Sequence, residues 1–365
     1  MKVSQAVPAS GECRLGVAVD LTGHEAAARR PAGNAEAALS ALADYLADDM
    51  LACNNEIIAR MQSDVPLIPQ LAAHLVAAGG KRLRPLLVFA SARLAGYVPG
   101  PEAMRHVRVA ACVEFIHTAT LLHDDVVDNS QLRRGRESAN AVFGNKASVL
   151  VGDFLFARSF QILTADGSLP VMAILSSTSA TLAEGEVLQM TTQNDLGTTV
   201  EQYQEVIYGK TAALFAAACE CGAVIAEASE EIRAALRAYG AALGMAFQIV
   251  DDALDYAADQ AELGKTVGDD FREGKVTLPV ILAYAAGTPE EQIFWKRTIE
   301  DNETQTEEDM AQALSLIART DAIAATLRKA EDFSREACEA LKVLPHGELR
   351  SLLEDVAICA VYRHR

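Results

Sequence analysis

An all-α fold is what this 365-residue chain predicts, and three observations carry that expectation. Half of the residues are apolar yet only 5% are aromatic, with alanine and leucine filling much of the balance. Strands favour branched and aromatic side chains, so this composition suits helices. From Ala35 onward apolar residues recur at helical spacing, and few stretches alternate as strands do. Glycine and proline cut this run at 65–66, 96–101, 166–170, 194–199, 264–275, 287–289 and 345–347, leaving segments long enough for helices. Residues 1–34 mix proline, glycine and charge, so they are expected to form a weakly ordered extension, with helix starting at Asn34 or Ala35. The acidic stretch 301–309 is expected to loop at the surface. No solenoid repeat is visible, and residues 35–365 are expected to form one domain.

Charge narrows the partners. With 32 basic against 50 acidic residues the formal net charge is −18, which argues against nucleic acid and against docking to an anionic membrane surface. Apolar windows carry charges, as at Arg108 and Glu114, so no transmembrane segment is expected. Cys13, Cys53, Cys112, Cys219, Cys221, Cys338 and Cys359 form no CxxC pair. With no secretory leader expected, they read as reduced thiols in a cytoplasmic setting. Core packing is favoured over redox chemistry for Cys219 and Cys221.

Two acidic clusters dominate the chemistry. Asp124, Asp125 and Asp128 share their spacing with Asp251, Asp252 and Asp255, and each set ends an apolar, alanine-rich run. On a helix, carboxylates at i and i+4 lie on one face and repel. A hard divalent ion, above all Mg2+, relieves that repulsion and is commonly held by one or two carboxylates plus substrate phosphates. Basic partners accompany the acids. Lys81, Arg82 and Arg84 follow Gly79 and Gly80, Arg133 and Arg134 follow the first cluster, and Lys265 and Lys275 follow the second. Tyr208, Gly209, Lys210 and Thr211 resemble the end of a phosphate-binding loop, but the upstream glycine and strand are missing. Acid clusters beside separated cations suit polyanionic substrates bridged by metal.

These motifs resemble those of the trans-isoprenyl diphosphate synthases. The run from Phe115 through His117, Ala119, Thr120 and His123 to Asp128, with Arg133, Arg134 and Gly135, is similar to that family's first aspartate-rich motif. Gly244 to Asp255, with Phe247 and Gln248, is similar to the second. The Gly-Gly-Lys-Arg-Leu-Arg-Pro and Gly-Lys-Thr stretches stand in the family's order, and the nearest likeness is to long-chain members making octaprenyl to decaprenyl tails.

The resemblance implies a single-domain, isoprenoid synthase-type bundle of long helices around a central cavity, as a homodimer. The implied reaction is head-to-tail (1'-4) condensation of isopentenyl diphosphate onto an allylic diphosphate such as farnesyl diphosphate. The product would be about C40–C50, delivered to the membrane and serving the ubiquinone side chain. It implies two to three Mg2+ ions on Asp124, Asp128, Asp251, Asp252 and Asp255, with Asp125 in support. Arg133, Lys210, Lys265 and Lys275 would hold the allylic diphosphate. Thr211 and Gln248 would stand near the developing cation, while Lys81, Arg84, His117 and Arg134 would hold isopentenyl diphosphate. His123 is expected to pack rather than bind. No protein base is implied, since the leaving diphosphate collects the final proton.

Chain length is expected to depend on Phe115, Ala119 and Thr120. Ala119, five residues before Asp124, would sit roughly 7 Å deeper on nearly the same face and leave the cavity open. The first motif lacks the two-residue insertion of many bacterial short-chain enzymes, while Asn129 and Gln131 stand where acids are common. The alternatives are a short-chain farnesyl or geranylgeranyl synthase, a class I terpene cyclase and a non-catalytic subunit. Cyclases normally lack the second cluster and the Lys81/Arg84 site, and non-catalytic subunits lose aspartates that are complete here.

Overall fold

A computed structural model describes residues 35–77, 80–100, 104–133, 135–257 and 268–362. The extension at 1–34 and Gly79, Arg134 and Lys265 lie outside the described residues. The helices run α1 (Ala35–Tyr45), α2 (Ala47–Arg60), α3 (Leu67–Ala77), α4 (Leu83–Leu94) and α5 (Arg105–Val127). They continue as α6 (Ala139–Phe143), α7 (Asn145–Asp166), α8 (Leu169–Thr192), α9 (Val200–Ile207) and α10 (Ala213–Ile225). The last are α11 (Glu230–Ala257), α12 (Asp269–Arg272), α13 (Leu278–Ala285), α14 (Pro289–Trp295), α15 (Glu307–Arg319), α16 (Ala322–Ala340) and α17 (Glu348–Val361). The strands among the described residues are β1 (Leu132–Arg133) and β2 (Arg136–Glu137), a tight antiparallel hairpin.

Helix α10 explains the architecture. It is apolar on all sides and almost wholly buried, so it sits at the centre, packed by α4, α5, α8 and α11. Gly240 lets α11 close on it, since a Cβ there would stand 2.5 Å from the Phe215 carbonyl oxygen. Helix α7 lies along α5, and α16 along α11.

Several helix starts follow the sequence signals. The Ser168 hydroxyl accepts from the Val171 N–H with Pro170 in the first turn, and Thr199 and Thr288 form capping boxes with Gln202 and Glu291. One expectation needs correction. The stretch 301–309 is not simply a surface loop: α15 begins at Glu307, and Asp309 is buried. Arg297 donates to both Asp309 oxygens, at 3.0 and 2.5 Å, a pairing composition cannot reveal. Helix α7 is long and apolar enough to cross a membrane by length and composition alone, although it carries Asp153 and Arg158 within its apolar stretch. Its Arg158 donates to the Gln62 carbonyl at 3.2 Å, tying it to the end of α2. The break between α10 and α11 at residues 226–229 carries neither glycine nor proline and was not expected; Glu227 makes it with φ 54°.

Candidate active site

The first acidic cluster stands at the C-terminal end of α5, where Asp128 is the cap residue. That end of a helix carries partial negative charge, which disfavours carboxylates. Cations compensate. The hairpin returns Arg133 to Asp125, which is only 2% exposed, and Arg133 Nε donates to its two oxygens at 2.8 and 3.0 Å. Asn140 Nδ2 donates to the Asp125 carbonyl at 3.0 Å and fixes the turn.

In the second cluster, near the end of α11 as described, Asp252 and Asp255 are held by neutral donors. Tyr203 on α9 donates its hydroxyl to Asp252 Oδ2 at 2.6 Å, and Gln248 Nε2 donates to Oδ1 at 2.8 Å. Thr211 in turn donates to Gln248 Oε1 at 2.8 Å. The Asp255 carboxylate accepts the backbone N–H groups of Asp269 and Asp270 at 3.2 and 3.1 Å, fastening the start of α12. Asp255, expected as a metal ligand, thus has a structural task, and Asp125 and Asp252 are likewise engaged by the protein itself.

Lys275 brings the segment after the second cluster to the first. Its Nζ lies 3.6 Å from Asp128 Oδ2 and 2.5 Å from Glu273 Oε2, so the loop after the second cluster reaches the first. The Gly274 carbonyl accepts from Asn194 N at 2.9 Å, which pins that loop beside the end of α8. Tyr203, Lys210, Gln248, Asp252, Asp270 and Lys275 line one cavity of ≈ 90 Å³.

Lys210 and Thr211 lie in a single π-helical turn, Tyr208–Ala212, between α9 and α10. Gly185 on α8 meets Gly209 so closely that a Cβ on either would stand within 2.8 Å of the other's backbone. This approach brings Glu186 to Lys210, with 3.1 Å between Nζ and Oε2. Burial, then the Glu186 carboxylate, push Asp124 up to about 7. Burial and the charge of Asp270 likewise raise Asp252 and Asp255. Such crowding of oxygen donors is the chemistry a hard cation relieves. Among the described residues no three His, Cys, Asp or Glu side chains converge on one point.

The other expected groups are placed as follows. Lys81 is exposed, and the Arg84 guanidinium lies 4.6 Å from the centroid of the Phe215 ring. Between them Arg82, in the left-handed region at φ 46°, donates to Glu114 Oε1 at 2.6 Å and ties the start of α4 to α5. His117, half-buried, follows Glu114 by three residues on the same helix, and hence on a neighbouring face. His123 packs, as expected: it stacks on Phe156, and a Cβ at Gly152 would stand 2.2 Å from its Nε2. The expectation that Ala119 lies on nearly the same face as Asp124 needs correction. Ala119 is 0% exposed in the core beside Phe115, and five residues turn a helix by about 140° beyond a full turn. Thr120, four residues from Asp124, is the one nearer the carboxylate's face, and its Oγ1 donates to the His117 carbonyl at 2.9 Å. Sequence reasoning missed Glu114, Glu186, Tyr203 and Asp270, which acquire partners only through packing.

Comparison with known proteins agrees with this geometry. The Polyprenyl synthetase family matches residues 65–317. The chain belongs to that family. It is 46% identical to octaprenyl diphosphate synthase of Escherichia coli over 90% of this chain and 99% of that protein. Its fold overlays a decaprenyl diphosphate synthase from Rhodobacter capsulatus with a TM-score of 0.85 and 53% identity, covering 90% of this chain and 99% of that one. A polyprenyl synthase from Caulobacter crescentus, solved with calcium and isoprenyl diphosphate, gives a TM-score of 0.85 at 49% identity, covering 91% and 98%. The all-α expectation therefore holds, and it is the fold of the polyprenyl synthases.

Proposed function

We infer that the chain is a long-chain polyprenyl diphosphate synthase, a prenyltransferase that extends an allylic diphosphate with isopentenyl diphosphate units. The observation that carries this reading is the Lys275 bridge, which sets the segment after one acidic cluster against Asp128 of the other. The long-chain relatives at 46–53% identity favour a C40–C50 product over a short-chain one.

On this reading Asp124, Asp128 and Asp251 hold two to three Mg2+ ions together with the allylic diphosphate. Bound there, the ions supply the positive charge that makes diphosphate a leaving group. Arg133, Lys210, Lys265 and Lys275 add charge to the same group, while Asp125, Asp252 and Asp255 keep the site in shape. The allylic carbon–oxygen bond breaks, and Thr211 and Gln248 face the cation that results. Lys81, Arg84, His117 and Arg134 hold isopentenyl diphosphate so that its double bond attacks that carbon. The proton lost from the new chain passes to the departing diphosphate.

Residues 35–365 form the synthase domain in this reading, and deletion of 1–33 leaves activity largely intact. The enzyme is a cytoplasmic homodimer that delivers its product to the membrane for the ubiquinone side chain. Incubation with labelled isopentenyl diphosphate, farnesyl diphosphate and Mg2+, then chromatography of the dephosphorylated products, tests the assignment. Alcohols of C40–C50 are expected; arrest at C15–C20 would make it a short-chain enzyme, and no extension would end the reading. Ala119→Phe and Thr120→Phe both shorten the product, and unchanged lengths would remove the tunnel from the account.

A further inference from the structure

Resting on that reading, we propose that Tyr203 is a positioning residue that, through Asp252 and Gln248, makes Thr211 present oxygen lone pairs rather than its proton to the allylic cation. The argument is one of donors and acceptors. Tyr203, Gln248 and Asp252 border one cavity, and Tyr203 and Asp252 are buried. The Tyr203 O–H and the Gln248 amide NH2 both donate to Asp252, at 2.6 and 2.8 Å, so the carbonyl end of that amide is turned away from the carboxyl. With its NH2 turned to Asp252, Gln248 directs its carbonyl oxygen at Thr211, whose single hydroxyl proton is committed to it at 2.8 Å. Every donor in the chain therefore points toward Asp252, and Thr211 has only lone pairs left for another neighbour. A lone pair stabilises an adjacent cation, whereas a hydroxyl hydrogen repels it.

Tyr203 is the fixed end of this chain. It sits in α9, whose start is held by the Thr199 capping box, and it reaches across to α11 in a buried contact. Without its hydroxyl, Asp252 is free to turn toward other donors, and Gln248 loses the partner that decides which end of its amide faces Thr211.

The test compares elongation of farnesyl diphosphate with that of its 2-fluoro analogue, because fluorine raises the energy of the allylic cation. In Tyr203→Phe, kcat should fall roughly tenfold with both KM values within twofold of wild type. The rate penalty from fluorine should grow at least threefold. A merely structural role would slow both primers by one factor, leaving that ratio unchanged and overturning the proposal. Thr211→Val should enlarge the fluorine penalty equally, and Tyr203→Phe added to it should enlarge it no further. Should Tyr203→Phe fail to fold, Thr211→Val decides alone: an unchanged ratio there overturns the proposal. A wild-type enzyme that extends neither primer would overturn the functional reading itself, whereas an active enzyme with unchanged ratios sinks this inference alone.

Discussion

The two acidic clusters have the same spacing and different neighbours. Asp124, Asp125 and Asp128 end a helix, against its dipole, and are answered by whole charges from Arg133 and Lys275. Asp252 and Asp255 lie in the last two turns of α11 as described, and are answered by a phenol, an amide and backbone N–H groups. Neutral donors orient a carboxylate without cancelling its charge. Asp252 and Asp255 are therefore geometrically fixed by neutral groups, while Asp125 and Asp128 are partly balanced before any ligand arrives. The same short motif can thus be read by its environment as two different devices.

Removing a central carboxylate from either side should have the largest effect. Asp124→Ala and Asp251→Ala should each cut turnover by roughly three orders of magnitude, about 4 kcal/mol of transition-state stabilisation, while circular dichroism shows an intact helical fold. Near-normal rates in one variant would assign metal binding to the other cluster alone.

Stability should separate cation from neutral donor. Arg133→Gln leaves Asp125 buried without its charge partner and should cost about 2–3 kcal/mol in denaturant unfolding. Tyr203→Phe removes one hydrogen bond and should cost about 1 kcal/mol. Equal losses would erase the distinction drawn above.

Proton competition provides the next comparison. Asp124 is held up to about 7 by burial and by Glu186, so it binds a proton more tightly folded than unfolded. The stability gained from that proton is lost as pH rises from about 4 to its folded value. Asp124→Asn should therefore gain in metal-free melting temperature relative to wild type across that window, then level off. In the wild type, titration with Mg2+ should show weaker apparent affinity as pH falls below about 7, because the ion and the proton compete. A pH-independent affinity would mean that Asp124 takes no part.

Asp309 should show the smallest effect and the opposite sign. Arg297 holds its carboxyl well below the usual carboxylate range. The stabilisation is complete above the unfolded value, about 3.9, and disappears as pH drops through the folded one. Asp309→Asn should cost about 1 kcal/mol at pH 7, a difference in melting temperature that shrinks in strong acid.

Much of this was legible beforehand. The helix starts at Ser168, Thr199 and Thr288 are local events, decided by a hydroxyl and the N–H group three residues away. The paired aspartates and the nearby basic residues were legible for the same reason, since charge and spacing are written in the chain. Asp309 was misread because its partner lies twelve residues upstream on another turn. The face of Ala119 was misjudged by treating five residues as nearly whole turns. Glu186 gave no signal at all, since only the close passage of Gly185 and Gly209 brings it to Lys210.

Sequence by itself determined which atoms carry the chemistry: two sets of carboxylates, several cations and a helical frame to hold them. Only the tertiary structure decided how those atoms are shared, with Asp125 given to Arg133, Asp255 to a helix start and Asp252 to Tyr203. The physical reason is range. Helical periodicity and capping act over a few residues, whereas a hydrogen bond or a desolvated charge depends on whatever distant segment the core brings beside it.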